Sequence, residues 1–148
     1  MMLSRNFSLA EAAKSQAALR NGIDNTPPPE VIERLRLTAE AILQPVRDYF
    51  RIPFTPSSWY RSPILNRRIG GSIKSQHVRG EAVDFEVPGV SNLEVAKWIA
   101  ENLEFDELIL EYWQPGDPAA GWVHCSYAAK LAKDIMRFDG KTYQGGLV

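Results

Sequence analysis

A chain of 148 residues typically buries about 68–70% of the surface its unfolded form exposes, enough for one compact domain and too short for two. Its composition, 45% hydrophobic and 24% charged, argues against disorder and against a membrane protein. The 17 basic and 18 acidic residues mix along the chain to a net charge of -1, so there is no basic stripe to neutralise phosphates and nucleic acid is not an expected partner.

Met1-Met2-Leu3-Ser4-Arg5-Asn6 runs straight into an amphipathic pattern, without the apolar core and cleavage site of a secretory signal. Synthesis in the cytosol is expected, with release by another route for any substrate outside. Ser8, with Glu11 three residues on, reads as a capping box for a first helix from Leu9 to about Arg20, stopped by Asn21-Gly22. After Pro27-Pro28-Pro29, a second helix carries Val31, Ile32, Leu35, Ala39, Ile42, Leu43 and Val46 at helical spacing.

The prolines and serines between Ile52 and Asn66 favour short strands and turns, and Gly70-Gly71 marks a loop. Alternation from Ala82 to Val87 predicts a strand with Ala82, Asp84 and Glu86 on one face. Ser91 or Asn92 caps a third helix, from Leu93 to about Asn102. Strands are then expected over Glu107 to Trp113 and Trp122 to Tyr127, a short helix over Ala128 to Ile135, and a loose tail over 139–148. The expected architecture is a single α+β domain, with N-terminal helices (1–50) packed on a small, mainly antiparallel sheet holding the chemistry (51–130).

One cysteine, Cys125, and two histidines exclude an internal disulfide and a multi-cysteine zinc site, so a metal must be held by His and carboxylate. A catalytic zinc takes three such ligands and keeps a position open. His77, Asp84 and His124 supply such a set if their strands pair in one sheet. Spacing alone leaves the alternative of His77 as an exposed loop residue and His124 as a satisfied core histidine. Cys125, next to His124 on the strand, points to the opposite face and reads as a small core residue, not a nucleophile.

The elements Tyr60-Arg61-Ser62-Pro63, Ser75-Gln76-His77, Gly80-Glu81-Ala82-Val83-Asp84 and Trp122-Val123-His124 occur in order. In combination they resemble the zinc D-alanyl-D-alanine carboxypeptidases and L-alanyl-D-glutamate endopeptidases, relatives of the vancomycin-resistance D,D-dipeptidases. The resemblance runs from about Phe7 to Tyr127. It implies the α+β fold shared with the hedgehog signalling domain, and one zinc held by His77, Asp84 and His124. It further implies hydrolysis of peptidoglycan stem peptides by a monomer. Arg61 is implied to bind a substrate carboxylate or the charge developing in the transition state, with Ser75 and Gln76 orienting the ligand loop or touching substrate.

Many members of that family carry an acidic residue three positions before the last histidine, where this chain has Gly121. Glu111 is the expected replacement as general base, ahead of Asp117 and Glu86. The departure also admits a second expectation, a catalytically silent zinc-containing domain that binds cell wall or serves structure alone.

Overall fold

Ser8 opens the first helix of the computed structural model, which describes residues 1–148. Its Oγ accepts from the amide of Glu11 at 3.1 Å, and the Glu11 carboxylate accepts from the amide of Ser8 at 3.0 Å. The helix expected to reach Arg20 is two helices, α1 (Leu9–Ala13) and α2 (Gln16–Asn21). Ser15 divides them, because its hydroxyl caps α2 by accepting from the amide of Ala18 at 3.1 Å.

The second helix is α3 (Pro29–Thr38), a π-helical turn over Ala39–Leu43, and α4 (Gln44–Phe50) in unbroken succession. Pro45 lies just past the π turn, where its missing N–H and the widened turn coincide. Val31, Leu35, Ala39, Ile42, Leu43 and Val46 are all buried, as their spacing predicts.

Between Ile52 and Asn66 the structure departs from the expected strands. Residues 51–62 carry no regular strand, only a bridge between Ser58 and Asp84, and Pro63–Arg68 form a helix, α5. Ser62 accepts from the amide of Leu65 at 3.2 Å and Pro63 takes the first helical position. That cap-and-proline start outweighs the extended bias of the surrounding prolines.

Strand β1 is Ala82–Phe85, α6 is Asn92–Asn102, β2 is Glu107–Glu111 and β3 is Trp122–Ser126. The helix expected over Ala128 to Ile135 is absent. Leu131 and Lys133 take positive φ values of 43° and 53°, which a right-handed helix cannot contain. Asp106 captures the segment, its carboxylate accepting from the amide of Ala132 at 3.0 Å and its carbonyl from that of Asp134 at 2.9 Å. Asp134–Phe138 then forms β4, and Tyr143–Gly145 forms β5 inside the segment expected as a loose tail, 139–148.

The sheet order is β1-β3-β2-β4-β5, and all pairs are antiparallel except β2 with β4. One face, bearing Val83, Phe85, Leu108, Leu110, Val123 and Cys125, joins the helices in a core cluster of 22 buried residues. Because strand side chains alternate, the other face is left for chemistry. Register orders it in rows. Asp84 lies opposite His124, then Ile109, then Met136; in the next row Trp122 lies opposite Glu111, then Phe138, then Tyr143. No helix is long and apolar enough to cross a membrane.

Candidate metal centre

His77 belongs to a tight loop that two hydrogen bonds shape. The hydroxyl of Ser75 accepts from the amide of His77 at 3.2 Å, and the amide of Arg61 donates to the carbonyl of His77 at 3.2 Å. The imidazole is only 4% exposed, which removes the reading of an exposed loop residue. Its Nδ1 lies 2.7 Å from the carbonyl oxygen of Trp59. A carbonyl only accepts, so Nδ1 carries the proton and Nε2 presents its lone pair.

That lone pair faces Asp84. Nε2 of His77 is 3.4 Å from Oδ1 of Asp84, and Nδ1 of His124 is 2.9 Å from the same oxygen. Strand pairing fixes this geometry, because Asp84 and His124 are direct cross-strand partners and the backbone of Asp84 is pinned on its other side by Ser57 and Ser58. The three ligand atoms lie within 4.8 Å of one another. Ligands held at zinc–nitrogen and zinc–oxygen distances in a tetrahedron stand about 3.3 Å apart. The two spacings to Asp84, 2.9 and 3.4 Å, bracket that value, and two imidazoles with one carboxylate suit zinc.

The electrostatics agree. Burial disfavours the charge of His77 and pushes its pKa down despite Asp84, which keeps Nε2 available. Burial also opposes ionisation of Asp84, but the two imidazoles beside it, with a hydrogen bond from Nδ1 of His124, outweigh it and hold the carboxyl well below its ordinary value. His124 goes the other way: burial works against its proton, and the hydrogen bond to Asp84 with the nearby carboxylates raises its pKa. Cys125 is fully buried on the core face, and burial drives its thiol far above the ordinary value, so it offers no nucleophile here.

A cleft of about 570 Å³ opens on this face. Ser75, Gln76 and Arg79 line one side; Glu107, Ile109, Glu111 and His124 line the floor, with Met136 and Tyr143 beyond them. Glu111 thus shares the cleft with His124, and burial pushes its carboxyl pKa up. Gln76 reaches away through its amide, donating to Asp106 at 2.9 Å. Asp117 and Glu86, the weaker candidates for a base, are exposed outside the cleft.

Gly121 cannot be replaced by the acidic residue the resemblance leads one to expect. Its φ is +67°, and a Cβ there would sit 1.6 Å from the carbonyl oxygen of Glu111. The same close packing that bars a carboxylate at 121 seats the end of β2, with Glu111, beside β3.

Arg61 stands next to the ligands without lining this cleft. Its Nη1 donates to Oδ1 of Asn66 at 3.1 Å and its Nε to the hydroxyl of Ser58 at 3.4 Å, in a neighbouring cavity of about 270 Å³. Burial lowers its pKa while the charge of Asp84 raises it, and no carboxylate pairs with it directly. A guanidinium held by neutral partners keeps donors for a ligand. Gly71 permits the arrangement, since a Cβ there would fall 2.1 Å from Oδ1 of Asn66.

Met136 and Tyr143 are cleft residues outside the expected site: Met136 falls just past the helix expected over Ala128 to Ile135, and Tyr143 falls in the expected tail, 139–148. The signal was present: Ile135 to Phe138, then Asp139-Gly140 and Thr142-Tyr143, has the form of a hairpin. Residues 5–126 match the model of the family described as Peptidase M15. Comparison with curated proteins gave no match.

Proposed function

The chain belongs to the Peptidase M15 family of zinc metallopeptidases, and from that premise we propose that it hydrolyses peptide bonds in the stem peptides of bacterial peptidoglycan. The observation that carries this reading is the meeting of His77, Asp84 and His124, each with a ligand atom within 4.8 Å of the others, beside a cleft containing Glu111. His77, Asp84 and His124 would hold the metal. Zinc, when bound, polarises a carbonyl and lowers the pKa of water to about 7.

The chain's own residues do the rest. Glu111 takes a proton from the attacking water and returns it to the leaving amine, a role that its raised pKa suits because the same carboxyl must both accept and donate. Arg61 offers paired donors to a substrate carboxylate or to the oxyanion. Ser75 holds the loop that presents His77, and the carbonyl of Trp59 fixes its tautomer. The presence of Glu111 in the cleft favours an active enzyme over a silent zinc domain, although Gly121 lacks a carboxylate.

Digestion of purified peptidoglycan, followed by mass spectrometry of the released fragments, tests the reading. New amino and carboxyl termini within stem peptides are expected, dependent on zinc. Intact muropeptides after incubation with zinc-loaded protein would favour the silent domain.

A further inference from the structure

The β4–β5 hairpin lies beyond the residues that match the family, 5–126, yet it supplies Met136 and Tyr143 to the cleft. We propose that this hairpin is the substrate-recognition wall of the enzyme, and that Tyr143 is a specificity-determining residue whose ring packs against the substrate residue on the leaving-group side of the scissile bond. The proposal rests on the peptidase reading above.

Register is the first argument. Trp122, Glu111, Phe138 and Tyr143 form one continuous row across β3, β2, β4 and β5. A group that hands its proton to the leaving amine lies on the leaving-group side, so the residues outward from Glu111 in that row flank the same part of the substrate.

The second argument is the support given to an exposed ring. Tyr143 is 58% exposed, so folding does not require its aromatic surface. Nonetheless it stacks on Phe138 at 4.4 Å between centroids; Phe138 stands edge-on to Tyr112 at 5.5 Å, and Tyr112 packs on Trp122 at 5.0 Å. A buttressed ring loses little freedom when a ligand meets it, which is the property of an effective contact residue.

The hairpin itself is tied down. Arg137 donates through Nη1 to the carbonyls of Gly145 at 2.7 Å and Gly146 at 3.1 Å, and its guanidinium lies 4.9 Å from the ring centre of Trp113. At the turn, Asp139 accepts from the amides of Lys141 and Thr142 at 2.8 and 2.9 Å. Recognition from a rigid wall is more selective than from a mobile tail. Opposite Met136, Gly145 leaves the cleft side of β5 open, since a Cβ there would meet nothing within 4 Å.

The test compares the wild type with Tyr143→Ala, Tyr143→Phe and Gly145→Leu, using a synthetic stem pentapeptide as probe. Zinc content, kcat and KM are measured, together with binding of the same peptide to metal-free protein by tryptophan fluorescence. Tyr143→Ala should raise KM and Kd roughly 10-fold, as loss of a contact aromatic does, with zinc content and kcat kept. Tyr143→Phe should match the wild type, and Gly145→Leu should raise KM by narrowing the cleft without loss of fold. An alanine variant with unchanged KM and Kd, beside an active wild type, overturns the inference alone. A wild type that neither binds nor cleaves the peptide overturns the peptidase reading and the inference with it.

Discussion

Oδ1 of Asp84 faces both imidazoles of the site, 2.9 Å from Nδ1 of His124 and 3.4 Å from Nε2 of His77. One carboxylate oxygen therefore organises two nitrogens that come from a loop and from the neighbouring strand. A cation placed among the three would take over the role now filled by the proton between Asp84 and His124. The purified protein should accordingly hold about one zinc per chain, the stoichiometry of a three-ligand catalytic site. His124→Ala and Asp84→Asn should each lose most of it; full zinc in either variant, by metal analysis, would remove these residues as ligands.

The proton on His124 gives a dependence on pH in the metal-free protein. Its pKa in the folded state is raised, so it contributes stability that is fully present below the unfolded value, about 6.5, and is lost as pH rises through the folded value. His77, with its pKa lowered, is neutral in the folded state and takes up a proton only in the unfolded chain, so its slope, of opposite sign, is confined to pH near and below about 6.5. Thermal unfolding of the metal-free chain should thus shift to lower temperature as pH rises above the ordinary histidine value, and Asp84→Asn should flatten the trend. Zinc should reverse it, because metal displaces the proton and binds more tightly as pH rises. An unchanged melting temperature across this range in metal-free protein would contradict the assignment.

Arg61 yields a prediction that separates chemistry from metal binding. Its guanidinium is fixed by Asn66 and Ser58, with no carboxylate partner. Arg61→Lys keeps the charge but not the paired donors, so turnover should fall by about 10-fold or more while zinc content stays that of the wild type. Turnover equal to the wild type in a zinc-loaded preparation would make Arg61 a structural residue.

How much of this was legible beforehand depended on whether the signal was local. The period of Ala82 to Phe85 and of Trp122 to Ser126 is enough to put Asp84 and His124 on the open face, and Cys125 on the other. Which residues then meet is a matter of register, and no periodicity states that Asp84 pairs with His124 or that Trp122 pairs with Glu111. The hairpin was misread for a related reason. Ala128 to Ile135 has helix-forming residues, but the edge of β2 and the side chain of Asp106 take their backbone groups, and such tertiary capture outweighs propensity. The α5 helix was a different failure, since Ser62-Pro63 carried a start signal that the nearby prolines masked.

The general base gives the sharpest prediction, because two carboxylate positions compete on physical grounds. Glu111 lies in the cleft with His124, whereas position 121 has a φ of +67° and a Cβ there would lie 1.6 Å from the carbonyl of Glu111 itself. Glu111→Gln preserves volume and touches no ligand, so it should keep zinc and fold yet lose roughly 10²- to 10⁴-fold in rate. Gly121→Glu should not restore activity to that variant. A side chain at 121 must push β2 away from β3, moving the row that contains Trp122 and position 111, and should destabilise the chain by about 2–4 kcal/mol through backbone strain and overlap. Rates, zinc content and denaturant midpoints measured on the same preparations decide the matter. A Glu111→Gln enzyme with wild-type turnover moves the proton transfer elsewhere. A double variant that regains activity would show that the strand ends yield more readily than their packing allows, since the carboxylate could then reach the site from 121.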